Sequence, residues 1–331
     1  MKIRDFRHAL AGWVAVAMLA GCGGSQPPIG AQRAVPQIPA IANHAERGGP
    51  WMLRGATSQY LLYVTNYSTV WVYTYPQLKH VMTLKGFYSA SAECTDAAGN
   101  VYVTNEKPVA IYEYQHGGTK RIKTFRLKRG GADGCAIDPT SGDLAVSGNG
   151  STVTIFEPGG SKQHTINDPA MFYNIYCTYD TNGDLFVDGL ANATGKTRLA
   201  ELRQGTKSFV AISSDTALAL TDNIQWDGTY LTALYYIHGH HKQYKPFIAQ
   251  LSVKQSKATK VAAHSLDAPA YRILQYYISG GTLFVPNWYY EQGKELTNVL
   301  VYKYPSGGAP TTSFSKVNDP RGVVISPALR R

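Results

Sequence analysis

The sequence predicts an all-β protein, a six-bladed β-propeller with four-stranded blades. One strand–loop–strand pattern recurs six times, and its matching positions lie 39, 43, 41, 46 and 52 residues apart, at Val64, Val103, Val146, Val187, Ala233 and Val285. Repeat periods of this size are typical of propellers and solenoids. Apolar and polar residues alternate within the copies, and β-branched and aromatic residues are frequent, which indicates strands rather than helices.

A glycine-containing turn comes directly before the strand–loop–strand pattern in most copies, as at residues 98–100, 141–143 and 182–184. Glycine supplies the positive φ that tight hairpins need. A further strand is predicted before each turn and a fourth after the third strand, for example at residues 80–84 and 121–125. Four strands per copy correspond to one propeller blade.

The two ends of the repeat region predict how the ring closes. Nothing regular precedes Tyr60 in the first copy, whereas residues 321–326 form a strand-like sequence with no partner in the last copy. Pairing these residues with the first copy completes blade one and removes an open sheet edge, which would otherwise invite aggregation. We therefore expect the propeller to occupy residues 59–331, closed by its C-terminal strand.

The first 21 residues have the features of a secretory signal peptide. An apolar run at residues 9–20, too short to span a bilayer, follows three cations, Lys2, Arg4 and Arg7. The run ends in Leu19-Ala-Gly-Cys22, which resembles the lipobox of bacterial lipoproteins. This resemblance implies lipidation of Cys22 with more than one acyl chain, which gives lasting membrane attachment. Gly23 stands where an aspartate would act as an inner-membrane retention signal, so we expect outer-membrane delivery within the cell envelope.

Residues 22–58 separate the predicted lipid anchor from the first repeat. This segment is rich in proline, glycine, alanine and glutamine and has no sustained hydrophobic period. Its prolines favour extended conformations. We interpret it as a semi-rigid tether that holds the propeller away from the membrane.

Short motifs within the repeats carry a resemblance to known propellers. Residues 96–105 and 183–188 resemble NHL-repeat and related six-bladed propellers, and the virginiamycin B lyase and gluconolactonase groups have similar folds. A closer similarity is to exported bacterial propeller lipoproteins of unassigned function, on the motifs Glu93-Cys94-Thr-Asp96, Gly134-Cys135-Ala-Ile-Asp138 and Cys177-Thr-Tyr-Asp180. The resemblance covers residues 60–327 and implies a fold rather than an activity, because fold does not imply function.

Three cysteines, Cys94, Cys135 and Cys177, fall on the predicted innermost strands of blades two, three and four. They are small residues that suit the narrow end of a blade. The oxidising export route also allows one disulfide, Cys94–Cys135 or Cys135–Cys177, provided that the Cα atoms approach within about 7 Å. A metal or reactive-thiol site is the third interpretation.

The long hairpins of blades five and six contain the predicted binding residues, which are Tyr235, Tyr236, His238, His240, His241, Trp288, Tyr289 and Tyr290. Aromatic side chains at a propeller face offer flat, amphipathic surfaces to a sugar or a peptide, and long loops are where binding function concentrates. Packing of the tyrosines between blades is the alternative. The histidines likewise have two interpretations. They form a polar loop tip, or their imidazole groups bind a metal ion together.

The chain carries a formal net charge of +10. Removal of residues 1–21 takes away three basic residues and one acidic residue, which leaves 29 basic against 21 acidic residues, a net charge of +8. Such a surplus favours solubility, or attraction to acidic polymers and anionic lipid head groups. We identify no dense basic run interleaved with aromatic residues and therefore expect no nucleic-acid partner.

These observations favour a non-enzymatic, lipid-anchored envelope protein that binds a protein, peptide or glycan through one propeller face, without a cofactor. No Ser-His-Asp order, P-loop or zinc-ligand spacing is found. The alternative is a metal-dependent lactonase or lyase at the mouth of the central channel. By resemblance to the gluconolactonases, its divalent ion would be held by Glu93, Asp188, Asn223 and Asn287, although Asx residues more often cap turns.

Overall fold

The computed structural model describes residues 58–192, 194–214, 223–238, 244–267, 273–291, 294–314 and 317–328. Residues 1–57, which contain the predicted signal peptide, Cys22 and almost the whole tether, lie outside the described residues, as do His240 and His241. The described regular structure consists of 24 strands and one short 3-10 turn, Pro158–Gly160. None of the described residues forms a helix long and apolar enough to cross a membrane.

The first sheet joins the two ends of the described chain. Its four strands are β1 (Tyr60–Thr65), β2 (Thr69–Tyr75), β3 (His80–Lys85) and β24 (Gly322–Ser326), and their order is β24-β1-β2-β3. Strand β24 pairs antiparallel with β1, from Leu61 opposite Ser326 to Thr65 opposite Gly322. The predicted closure of the first sheet by the C-terminal strand is therefore confirmed.

Three further sheets are four-stranded antiparallel meanders in sequence order. The second sheet contains β4 (Glu93–Thr95), β5 (Val101–Glu106), β6 (Val109–Tyr114) and β7 (Arg121–Arg126). The third contains β8 (Gly134–Ile137), β9 (Leu144–Ser147), β10 (Thr152–Phe156) and β11 (Gln163–Asn167). The last contains β20 (Tyr277–Ser279), β21 (Thr282–Glu291), β22 (Lys294–Lys303) and β23 (Gly307–Phe314).

The remaining sheet has eight strands and differs from the predicted pattern of separate four-stranded blades. One half contains β12 (Met171–Tyr179), β13 (Leu185–Ala191), β14 (Thr197–Leu202) and β15 (Val210–Ser214). The other half contains β16 (Asn223–Trp226), β17 (Leu231–His238), β18 (Tyr244–Lys254) and β19 (Lys257–Ser265). Within the described part of the chain, the outermost strands β15 and β19 pair in parallel at two positions, Ser213 with Lys257 and Ser214 with Ala258. An edge strand carries unpaired backbone donors and acceptors, which explains how two neighbouring repeats join.

The innermost strands of the units follow one another around a ring. The innermost strand is β24 in the first sheet and the earliest strand in sequence in every other unit. Strand β24 contacts β4, β4 contacts β8, β8 contacts β12, β12 contacts β16, and β20 contacts β24. Between β16 and β20, the Gln225 side chain donates to the carbonyl of Ile278 (3.0 Å) and accepts from its N–H (2.7 Å). The result is an all-β, propeller-like ring.

Hydrophobic clusters fill the spaces between successive units of the ring. Leu61 and Tyr63 of β1 belong to a cluster shared with the second sheet, whereas Leu62 and Val64 belong to a cluster shared with the last sheet. A further cluster lies between the two halves of the eight-stranded sheet and contains Leu199 and Leu231. Successive strand residues point to opposite faces, so a strand covered on both sides is apolar at consecutive positions.

Candidate functional site

One end of the strands gathers the loops that form the candidate site. In a four-stranded antiparallel unit, the turn between the second and third strands lies at the same end as the connection to the next unit. We call this end of the ring the upper face. In the first sheet it comprises the turn at residues 66–68 and the connection at residues 86–92, together with the entry to β24.

Two exposed tyrosines meet on the upper face. Tyr67 in the β1–β2 turn and Tyr88 in the β3–β4 connection are each 39 % exposed. Their ring centroids lie 5.2 Å apart in an edge-to-face arrangement with an interplanar angle of 62°. Aromatic pairs prefer this geometry. Two solvent-exposed aromatic rings are thus held in contact with each other.

A cation lies over each ring of this pair. The guanidinium carbon of Arg321 is 4.9 Å from the centroid of Tyr67, and Nζ of Lys107 is 4.7 Å from the centroid of Tyr88. Both distances fall within the range of cation–π attraction. We call these four residues, Tyr67, Tyr88, Lys107 and Arg321, the tyrosine platform.

Hydrogen bonds to the neighbouring loops position the platform. Oδ1 of Asn66 accepts from the N–H groups of Ser68 (3.0 Å) and Thr69 (2.7 Å), which fixes the turn that carries Tyr67. The buried Asn105 accepts from the N–H of Tyr88 at 2.7 Å. An Asx side chain that accepts from nearby backbone N–H groups stabilises a tight turn. These hydrogen bonds therefore fix the conformation of both loops.

The position of Arg321 is fixed by three separate contacts. Its Nη2 lies 2.8 Å from the Asp319 carboxylate, and its Nη1 donates to Oγ of Ser89 at 3.2 Å. Its backbone N–H donates to the carbonyl of Thr65 at 2.9 Å. The side chain is therefore held before any ligand arrives, which lowers the entropic cost of binding.

The two phenols of the platform differ in acidity. A hydrogen bond between them raises the pKa of Tyr67 and lowers that of Tyr88, and Lys107 lowers the pKa of Tyr88 further by a hydrogen bond and by its charge. The platform therefore presents phenol groups, a guanidinium and an ammonium beside apolar ring faces. This combination suits a sugar or a peptide with acidic or hydroxyl groups.

A further exposed aromatic side chain, in addition to the two tyrosines of the platform, lies at the upper end of β12. Phe172 is 64 % exposed. Its neighbour Tyr173 is held in place, because its hydroxyl donates to Oδ2 of Asp133 at 2.9 Å. The upper face thus carries exposed aromatic surface in more than one unit of the ring.

The predicted binding residues of the last two repeats lie on long β-hairpins, apart from His240 and His241, which are outside the described residues. Strands β17 and β18 pair as far as His238 opposite Tyr244, and β21 and β22 pair as far as Glu291 opposite Lys294. Both hairpins extend toward the upper face and are longer than the corresponding hairpins in the other units. The backbone of Tyr289, Tyr290 and His238 belongs to these hairpins, whereas their side chains lie outside the described part of the structure.

Tyr235 and Tyr236 are buried, with exposures of 8 % and 7 %. The Tyr235 ring stacks on Phe247 at 5.5 Å, and the Tyr236 hydroxyl accepts from the N–H of Ile273 at 3.0 Å. These contacts match the alternative interpretation of the sequence, in which the tyrosines pack between repeats. Trp288 is half-buried on β21, so its ring is only partly accessible to a ligand.

The structure places all three repeat cysteines on first strands, as the sequence predicts. Cys94 on β4 and Cys135 on β8 form a disulfide with a Cα–Cα distance of 5.8 Å. Cys177 on β12 is a free, buried thiol, and burial raises its pKa to about 12. Since the thiolate is the reactive form, Cys177 is an inert packing residue at ordinary pH.

Three of the four residues of the predicted metal set form hydrogen bonds that serve the fold. Asp188 accepts from the N–H of Tyr176 at 2.9 Å, the Asn223 side chain donates to the carbonyl of Tyr276 at 3.4 Å, and that of Asn287 donates to Oδ1 of Asn298 at 3.3 Å. Among the residues that the structure describes, no three His, Cys, Asp or Glu side chains are close enough to share a metal ion.

The fourth residue of that set, Glu93, is a buried carboxyl group. It is 1 % exposed, and neither of its carboxyl oxygens has a hydrogen-bond partner in the structure. Burial raises its pKa well above 4.5. Burial therefore favours the protonated, uncharged form of Glu93 in the folded protein.

The tyrosine platform was not predicted from the sequence, although the sequence contains one signal for it. Tyr67 occupies a three-residue turn, where its ring has no strand neighbour on which to pack. Tyr88 lies 21 residues further along the chain, and Arg321 lies near the C-terminus. The β1–β2 turn and the β3–β4 connection bring the two tyrosines together, and pairing of β24 with β1 adds Arg321.

Comparison with known proteins informs the fold alone. No family model matches the chain, and no curated protein matches it. Among solved structures, the crystal structure of a protein of unknown function from Bacteroides caccae is similar, with a TM-score of 0.56, 13 % identity, and coverage of 81 % of this chain and 99 % of that one. At this identity the similarity supports a shared fold.

Proposed function

We propose that the chain is a six-bladed propeller of the NHL-repeat-like kind. Six hydrophobic clusters separate successive four-stranded units, and one of them lies between the two halves of the eight-stranded sheet. Among the described residues, the strand pairing between the halves consists of two parallel residue pairs. In this interpretation the eight-stranded sheet is two blades whose outer edges touch.

We propose that this propeller is an envelope lipoprotein that binds a protein, peptide or glycan through its upper face. The observation that carries the proposal is the tyrosine platform, in which Arg321 and Lys107 lie over the exposed rings of Tyr67 and Tyr88. Tyrosine and arginine are enriched among the residues that dominate binding energy at interfaces. Here both tyrosine rings are exposed, whereas the Arg321 side chain is only 13 % exposed. The backbone of Trp288, Tyr289 and Tyr290 lies on the last hairpin, which extends toward the same face.

Arrays of cell-wall glycan fragments and peptides, probed with purified protein, test the binding role. The variant Tyr67→Ala/Tyr88→Ala should lose at least about tenfold in affinity for the ligand that the native protein selects, as expected for truncation of central aromatic residues. Tyr60→Ala is the matched control, since Tyr60 is 51 % exposed at the opposite end of the same strand. Equal affinity of both variants would reject the platform as the binding site.

The proposed anchor is tested separately. Replacement of Cys22 by serine removes the thiol that would receive the lipid, and the protein should move from the membrane fraction to the soluble fraction. Metabolic labelling with a fatty acid should mark the native chain and leave the Cys22→Ser variant unlabelled. A variant that stays labelled and membrane-bound would contradict lipidation at Cys22.

A further inference from the structure

One segment of the chain is densely basic and contains a single aromatic residue, Phe125. Six cations and no acidic residue lie within ten residues, 120–129: Lys120, Arg121, Lys123, Arg126, Lys128 and Arg129. This segment contains β7, the outermost strand of the second sheet. A concentrated positive charge therefore lies on the rim of the ring.

A groove runs beside this strand, between the second and third sheets. Its volume is about 520 Å³, and it is bounded by Thr124–Lys128 on one side and by Gly160–Gln163 on the other. This volume is within the range of about 300–1,000 Å³ that is usual for small-ligand sites. None of the four platform residues lines the groove.

Cations stand on both walls of the groove. Arg126 and Lys128 line one wall and Lys162 lines the other. Within the described residues, Arg126 and Lys128 have no acidic partner. Lys162 lies 3.5 Å from Glu157, but both side chains are exposed, and such a surface pair is weak and easily exchanged. The groove therefore presents three cations to an incoming anion.

The rest of the lining consists of polar groups and of two covered aromatic rings. Thr124 and Ser161 contribute hydroxyl groups and Gln163 an amide. The aromatic rings beneath, Phe125 and Phe156, pack against each other at 5.4 Å and are 5 % and 3 % exposed. Since they are covered, they offer neither a surface on which bases stack, as single-stranded nucleic acid requires, nor an apolar patch for insertion into lipid.

Lysine on an edge strand also protects a sheet against edge-to-edge pairing. That role accounts for cations on β7, but it does not require a cation on the facing wall. Lys162 belongs to the β10–β11 turn of the third sheet and faces the same groove. The arrangement on two walls is what points to a ligand.

We propose that this groove binds an anionic polysaccharide, with Arg126, Lys128 and Lys162 pairing with its carboxylate or phosphate groups and the lining hydroxyl and amide groups bonding to its sugar hydroxyls. Arginine and lysine form short, charge-assisted hydrogen bonds to such anions. This site is independent of the proposed upper-face function.

Calorimetric titration of the native protein with polygalacturonate oligosaccharides tests the proposal, and maltooligosaccharides of equal length serve as the neutral probe. The groove variant Arg126→Gln/Lys128→Gln/Lys162→Gln should bind the anionic probe at least about tenfold more weakly. The control Lys254→Gln/Lys257→Gln/Lys260→Gln removes the same charge from exposed positions on another unit. It should bind within about twofold of the native protein, because distant surface charges are screened by salt.

Several outcomes would overturn the proposal. Equal weakening in the groove and control variants would show that net charge alone attracts the polymer. Tighter binding to oligo-dT or to phosphatidylglycerol vesicles than to polygalacturonate would assign the groove to a different class of partner. Loss of polygalacturonate binding in Tyr67→Ala/Tyr88→Ala, with the groove variant unaffected, would move the anion site to the upper face.

Discussion

Nδ1 of the buried His116 lies 2.6 Å from Oγ of Ser326, the last residue of the strand that closes the first sheet. The Ser326 hydroxyl also donates to the carbonyl of Gly99 at 2.5 Å, and Nε2 of His116 lies 3.0 Å from the carbonyl of Gln59. One histidine of the second sheet thus connects the first and last strands of the ring.

Replacement of Ser326 by alanine should lower the free energy of unfolding by about 1–3 kcal/mol, because it leaves buried partners without their hydrogen bond. Chemical denaturation measures this change. Ser68→Ala is the control, since Ser68 is exposed in the β1–β2 turn and should stay within about 0.5 kcal/mol of the native protein. An unchanged midpoint in Ser326→Ala would mean that the ring closes without this contact.

The disulfide should stabilise the neighbouring second and third sheets. Cys94 and Cys135 are 41 residues apart in sequence, and removal of such a crosslink by Cys94→Ala/Cys135→Ala should lower stability by about 2–4 kcal/mol. Reductant should lower the melting temperature of the native protein and leave that of the double variant unchanged. A native protein that is insensitive to reductant even after partial unfolding would contradict the pairing.

The buried Glu93 predicts an unusual dependence of stability on pH. Its pKa in the folded state is raised well above the usual 4.5 by burial, so the folded state retains a proton that the unfolded state has released. Stability is therefore full below about pH 4.5 and falls as the pH rises toward the folded-state pKa, by up to about 1.4 kcal/mol per pH unit.

Glu93→Gln removes this titration while keeping the shape of the side chain. The variant should match the native protein near pH 4 and exceed its stability at pH 7, as measured by denaturation across the pH range. A difference between the two proteins that stays constant with pH would mean that Glu93 does not titrate between the folded and unfolded states.

Tyr235 and Trp288 should respond differently to truncation. Tyr235→Ala should destabilise the fold by about 3–5 kcal/mol, the range for large aromatic side chains in a core, because its ring stacks on Phe247 in a hydrophobic cluster. Trp288→Ala removes a half-buried side chain and should cost less stability, with its main effect on ligand binding. Thermal unfolding and affinity, measured in parallel, separate the two roles. A stable Tyr235→Ala variant with weakened binding would restore Tyr235 as a ligand contact.

Periodicity accounts for what the sequence could predict of the fold. The spacing of Val64 and its five counterparts marks second strands, and the lone strand at residues 321–326 requires a partner. The pairing of β15 with β19 could not be predicted in this way, because it joins outer edges whose contact depends on how neighbouring repeats tilt. Two residue pairs leave no pattern in the sequence.

The candidate site was harder to predict, for a physical reason. Tyr235 and Tyr236 are typical binding residue types, but a tyrosine within a strand covered on both sides has little access to solvent. Tyr67 is accessible because it lies in a turn, and Lys107 and Arg321 reach the Tyr67–Tyr88 pair from separate parts of the chain. Residue type alone therefore does not distinguish a core aromatic from a ligand contact.

Strand β1 is hydrogen-bonded along both edges, to β2 on one side and to β24 on the other. A pull on the chain from before residue 59 would load two antiparallel ladders in shear at once, instead of peeling a terminal strand from the rim. Mechanical tension that enters through the N-terminal segment would thus be shared between β2 and β24, the strands on either side of β1.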